Sequence, residues 1–238
     1  MLQPLGFGEL FDATIKLYTR YFWLLVGTVA VVFIPLILIG ALIVGVIVVP
    51  GFFALAVAMV VQQGAMVKIV SDIYMGESPG IGKAYRAALG KIGAILVAGL
   101  LYGLACGVGF LFCIVPGVYL WVAMSFYICA IMFENKGPTE CLGRSMELVR
   151  GSWWKIFLVL FLAQMLMGVV SNLPAMFTGI IAAVVEEAVL VRPLGNLAGS
   201  VLQVFVAPIV TIVTILMYYD MRVRKEGYDL ERMAREIG

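Results

Sequence analysis

The sequence predicts an all-α integral membrane protein: six transmembrane helices forming three helical hairpins, with short cytosolic amphipathic helices and both termini inside. Three observations predict it. The 238 residues are 63% hydrophobic and only 13% charged, with a mean hydropathy of +1.10, more apolar surface than one water-soluble core can hide. Apolar runs recur at the length of roughly 20 residues that a hydrocarbon core about 30 Å thick requires. Fifteen of the sixteen lysines and arginines fall on one side of a six-span arrangement, leaving Arg192 alone on the other.

Residues 1–21 read as an amphipathic interfacial helix, with Phe7, Leu10, Phe11, Ile15, Tyr18 and Phe22 opposite Glu9, Asp12, Lys16 and Arg20. Hairpin 1 occupies 22–70, its spans 22–49 and 52–70 meeting at Val49-Pro50-Gly51. The first run is too long for the apolar core of a cleaved signal and follows acidic residues, so it reads as a retained span. A second interfacial helix covers 79–91, and hairpin 2 covers 92–133, with spans 92–115 and 118–133 meeting at Val115-Pro116-Gly117. Both turns are uncharged, and proline followed by glycine ends a helix and lets the chain reverse. Pro35 and Pro208 are expected to kink their spans.

The third interfacial helix, 138–155, sets Cys141, Leu142, Met146, Val149 and Trp153 against Glu140, Arg144, Glu147 and Arg150. Hairpin 3 covers 156–219, with spans at 156–173 and about 197–219 and an irregular outer segment at 174–196. There Pro174, an apolar stretch and Glu186-Glu187 leave two readings open: an extension of the fifth span, or a helix in the outer interface. Residues 220–238 read as a charged cytosolic tail. An amphipathic helix feeding a hairpin thus recurs three times along the chain, an internal repeat.

The positive-inside rule places the basic segments in the cytoplasm and the protein in the plasma (inner) membrane as a multi-pass chain. Lys16, Arg20, Lys83, Arg86, Lys91, Arg144, Arg150, Lys155, Arg222, Arg224 and Lys225 are the residues expected to meet anionic lipid of the inner leaflet. The same short helices read equally as caps packed on the cytosolic mouth of the bundle.

The chemistry is mostly excluded. The chain has no histidine, which removes imidazole acid–base catalysis, Ser-His dyads and the usual His-containing zinc sites. Cys106, Cys113, Cys129 and Cys141 read as small apolar residues. Ser152-Trp153-Trp154-Lys155 matches an S-x-x-K string, but Trp followed by Lys at a membrane boundary is the pattern of an interface anchor. No phosphate-binding loop or nucleic-acid patch is present. No enzyme activity, metal, cofactor or nucleic-acid partner is therefore expected.

Polar residues within the spans are Gln62, Gln63, Gln164, Asn172 and Gln203, candidates for interhelix hydrogen bonds or for a polar cavity. Gly99, Gly103 and Gly107 repeat every four residues, as do Gly195 and Gly199, a spacing that lets helix backbones approach closely.

Leu5-Gly6-Phe7-Gly8-Glu9-Leu10-Phe11-Asp12, Val115-Pro116-Gly117, Glu134 through Pro138, Arg144 through Gly151 with Trp153-Trp154, and Tyr218-Tyr219-Asp220-Met221-Arg222 resemble the glycerophosphoryl diester phosphodiesterase membrane-domain family. The resemblance covers nearly the whole chain. It implies a multi-helix membrane domain of the kind found in uncharacterised prokaryotic proteins, without an assigned activity; the catalytic phosphodiesterase domain is absent. Two functions follow as expectations. One is a non-catalytic membrane protein that assembles with itself or a membrane protein partner, or organises lipid at the inner leaflet. The alternative is a small transporter or lipid-handling protein with an intramembrane cavity between the hairpins.

Overall fold

A computed structural model describes residues 6–42, 48–184 and 191–237. Among these, every regular element is helical and no strand occurs. In order they are α1 (Phe7–Arg20), α2 (Phe22–Leu42), α3 (Val48–Tyr74), α4 (Ile81–Gly90), α5 (Ile92–Phe112), α6 (Ile114–Ala123), α7 (Tyr127–Glu134), α8 (Pro138–Val149), α9 (Trp153–Val184) and α10 (Val191–Ile237). Five stretches are long and apolar enough to cross a membrane: Ala56–Tyr74, Ile92–Phe112, Ile114–Glu134, Trp153–Ala182 and Pro193–Glu226. Gly8–Arg20 and Phe22–Pro35 meet the same criterion only as a pair, bent by 78°.

The proline–glycine pairs do not form the reversals. α3 starts at Val48 and α6 at Ile114, so Pro50 and Pro116 lie in the first turns of the returning helices. Proline is tolerated there because a first-turn N–H has no intrahelical acceptor to lose. The second reversal is made by one extended residue, Cys113 (φ −171°, ψ 155°). Gly117 then permits the close return: a Cβ there would sit 2.5 Å from the Phe110 ring, and a Cβ at Gly109 2.9 Å from the Gly117 Cα.

Hairpin 3 differs from its expected outline as well. α9 runs unbroken through Pro174 to Val184, and α10 is helical from Val191. The part of 174–196 that is described therefore extends the two long helices; Glu186 and Glu187 lie outside the described residues. α10 also continues through Pro208 to Ile237, so the charged tail is helical. At the other end of hairpin 3, α8 stops at Val149, and Gly151 turns the chain with φ +91°, a conformation that favours glycine.

The short amphipathic helices pack on the bundle. α4 buries Ala84 and Ala88, Ala88 lying beside Gly64 of α3, and the Tyr85 hydroxyl donates to the Thr28 carbonyl of α2 at 2.6 Å. The Tyr18 hydroxyl of α1 donates to the Phe205 carbonyl of α10 at 2.8 Å. α8 buries Cys141, Leu142, Ser145, Leu148 and Val149. Ser145 has a further task at the break between α6 and α7. Its hydroxyl accepts the Phe126 N–H at 3.0 Å and donates to the Ala123 carbonyl at 2.9 Å. Backbone groups freed by a helix break inside an apolar bundle need such partners, and Ser145 supplies both.

Candidate functional site

Two features stand out where the helices meet: a polar file between α9 and α10 that runs into the bundle, and a layer of charge and aromatic rings at one end.

The file begins where α9 and α10 touch. A Cβ at Gly195 would overlap the Thr178 hydroxyl, and one at Gly199 the Ser171 carbonyl. Small residues there bring the two backbones together, which leaves a groove of about 470 Å³ beside them. Gln164, Gly168, Ser171, Asn172, Asn196, Gly199, Ser200 and Gln203 line it. A second cavity, about 310 Å³, lies deeper among α3, α5, α9, α10 and the α6–α7 segment. Gln63, Tyr102, Ser125, Gln164, Thr211 and Thr214 supply its polar lining. Gln164 lines both, so the groove and the cavity meet at that side chain. No charged residue lines either one.

The hydroxyls of Ser200 and Thr214 donate back to carbonyls four residues earlier in their own helix, and the Asn172 amide does the same to Gly168. The buried hydroxyls of Ser125 and Ser171 find no partner among the described residues. An amide or hydroxyl in apolar surroundings without a hydrogen bond costs on the order of 2–7 kcal/mol. A file of such groups is therefore built to be met by something polar.

Four of the five polar candidates, Gln63, Gln164, Asn172 and Gln203, thus lie on this file. Gln62 is buried and lines neither space. The glycines divide differently. Gly195 and Gly199 form the α9–α10 contact, whereas Gly103 and Gly107 have open space where a Cβ would project and Gly99 is in ordinary contact with the Tyr127 hydroxyl. Gly103 and Gly107 therefore pack on no other helix among the described residues.

Aromatic rings from three helices pack together at one end of the bundle. Tyr219 stacks on Tyr74 and on Phe133, with ring centroids 5.2 and 5.3 Å apart. Tyr218 meets Phe126 at 5.9 Å and Phe133 at 5.5 Å. Next comes a set of acids that sequence reasoning passed over. Glu134 ends α7 and accepts from the Tyr218 hydroxyl at 2.7 Å and from Arg144 Nε at 3.1 Å to both oxygens. Arg144 also donates to Glu147 at 3.2 Å and to Glu226 at 3.0 Å, so one guanidinium ties α7 and α8 to α10. Burial pulls the Arg144 proton affinity down, but the hydrogen bonds to Glu134 and Glu147 outweigh it and the pKa rises. Asp220, fully buried, pairs with Lys155 at 2.8 Å and Arg224 at 3.0 Å. Asp72, also buried, pairs with Lys68 at 2.6 Å and lies 3.9 Å from Lys83.

These contacts reassign several of the basic residues expected to face lipid. Lys91 turns inward and donates to the carbonyls of Ile131 and Met132 at 2.9 Å and to Asn135, capping the end of α7. Burial, and then repulsion by Lys68, hold its pKa below the ordinary lysine value. Arg144 and Lys155 are likewise engaged with acids of the bundle, and Lys225 reaches the Glu147 carbonyl. Arg222 holds Glu226 at 2.8 Å. Lys16, Arg20, Lys83, Arg86, Arg150 and Arg224 remain exposed. The signal that could have found the acids was positional: Asp72, Glu134 and Asp220 each stand beside the aromatic residues at the end of an apolar run.

Comparison with protein families places residues 86–219 in a domain of unknown function, DUF7847. The chain belongs to this family. The DUF7847 segment holds the whole α9–α10 groove and every polar lining residue of the deeper cavity named above except Gln63. It also includes Glu134, Arg144 and Tyr218, but not Glu226. No curated protein matches the chain, and no solved structure does.

Proposed function

We propose that this chain is a non-catalytic, lipid-handling protein of the plasma (inner) membrane. It crosses the bilayer six times as three hairpins, with both termini in the cytoplasm. α2, at 21 residues, supplies the crossing that accompanies the five long apolar stretches. The orientation rests on charge. The layer formed by Lys68, Lys91, Arg144, Lys155 and Arg222 sits at one end of the bundle, and basic segments stay cytoplasmic.

The observation that carries the lipid reading is the uncharged polar file meeting the deep cavity at Gln164. Amides and hydroxyls inside an apolar bundle suit a polar headgroup whose tails remain in the surrounding hydrocarbon. The lack of charge on the file disfavours an ion-coupled carrier, which relies on ionisable groups within the spans. The cavity of about 310 Å³ has room for roughly ten waters at ~30 Å³ each, the scale of a small headgroup and too narrow for a helix.

The test is native mass spectrometry of the protein extracted from membranes. The expected result is a retained lipid that is lost on replacing Gln164 and Gln203 together by Leu. Extraction without lipid would overturn the reading. So would a dimer that the same double substitution dissolves, because the file would then be an interface between two copies.

A further inference from the structure

The polar file is as long as a membrane's hydrocarbon core is thick. From Asn196 to Thr214 on α10 is 18 residues, a rise of about 27 Å at ~1.5 Å per residue, against a core of about 30 Å. Its ends reach the charged margins. Asn196 lies four residues after Arg192, and Thr214 six residues before the buried Asp220. Between them the polar groups follow at short intervals, Ser200 and Gln203 on α10 and Asn172 and Gln164 on the facing side of α9. Gln164 fills the stretch between Gln203 and Thr211 where α10 itself is apolar. The groove half of the file is open along its side, and Gln164, Asn172 and Asn196 are exposed there.

The main barrier to moving a phospholipid between leaflets is desolvating its headgroup in hydrocarbon. A continuous row of hydrogen-bonding groups that spans the core removes much of that barrier, while a lateral opening lets the tails stay in lipid. We infer that the α9–α10 file conducts phospholipid headgroups from one leaflet to the other, a passive transbilayer lipid exchange with no covalent step. This rests on the lipid-handling reading above and adds transit to binding. With no charged side chain on the path, zwitterionic headgroups are its substrates.

The experiment reconstitutes the full chain into unilamellar vesicles of phosphatidylcholine and phosphatidylglycerol carrying a trace of fluorescently tagged phosphatidylcholine, with a membrane-impermeant reductant added outside. Protein-free vesicles lose the fluorescence of the outer leaflet only. With the protein, the loss continues into the inner-leaflet pool while a soluble dye sealed inside stays unreduced. Replacing Gln164 and Gln203 by Leu slows that second phase by about tenfold, the scale of one lost hydrogen bond, and replacing both by Asn restores most of it. Loss that stops at the outer leaflet in wild-type vesicles overturns transit; if the purified protein still carries lipid, the binding reading survives alone. Equal rates for wild type and the Leu variant also overturn the assignment of the path to this file.

Discussion

Gly199 of α10 lies so close to the Ser171 carbonyl of α9 that no Cβ fits between them. Without a hydrophobic force between helices in lipid, such backbone approach is a main source of cohesion. The same contact shapes the groove beside it, so the packing of α9 on α10 and the form of the candidate path share this contact.

Gly199→Val is therefore expected to destabilise the protein by about 1–3 kcal/mol, the usual cost of overpacking. Gly103→Val, on a helix face with open space, should change stability by less than about 0.5 kcal/mol. Unfolding in detergent micelles, followed by circular dichroism, compares the two. Equal losses would show that α5 is packed against something absent from the single chain.

Arg144 serves three acids at once, of which Glu134 is the least exposed. Arg144→Leu leaves that carboxylate without its main partner and is expected to cost about 3 kcal/mol. Glu226→Gln removes only a solvent-facing contact and should cost under ~1 kcal/mol. Arg144→Lys should recover part of the loss, since an ammonium cannot make the forked contact to both Glu134 oxygens. Denaturation midpoints of the three variants check the order.

Ser145 bridges the Ala123 carbonyl and the Phe126 N–H across the α6–α7 break. Ser145→Ala strands a buried donor and a buried acceptor, with an expected loss of about 2 kcal/mol or more. Amide exchange at Phe126 should accelerate more than exchange within α9. A uniform change across the protein would argue against this local role.

The six-span arrangement is tested by thiol labelling in intact cells. The exposed Cys113 must be replaced first, because it would label by itself. Single cysteines at Lys83 or Lys136 should then be protected from an impermeant reagent, and one beside Arg192 should react. Labelling of both sets from the same side would overturn the topology.

Several features were legible in the sequence because they depend on composition and short-range order. Length and apolarity of the runs determine that they are helices, since an isolated strand leaves its backbone unsatisfied in hydrocarbon. The spacing of Gly195 and Gly199 was enough to mark a close helix contact, and Gln63, Gln164, Asn172 and Gln203 were visible as polar side chains in apolar surroundings. Their union into one file was not. It depends on how far α9 slides along α10, and that register is decided by which small residues meet, Ser171 with Gly199 and Thr178 with Gly195. The reversals were misplaced at the proline–glycine pairs because proline is compatible with both a turn and a helix's first turn. Only the packing of Gly109 on Gly117 chose the second. The basic residues show the same division. The sequence by itself carries the expectation that they gather on one side, a matter of counting charge. Whether Lys91, Arg144 and Lys155 face lipid or the protein was decided only in three dimensions, because an ammonium or guanidinium turns toward a buried carboxylate or an uncapped helix end once folding brings one within reach.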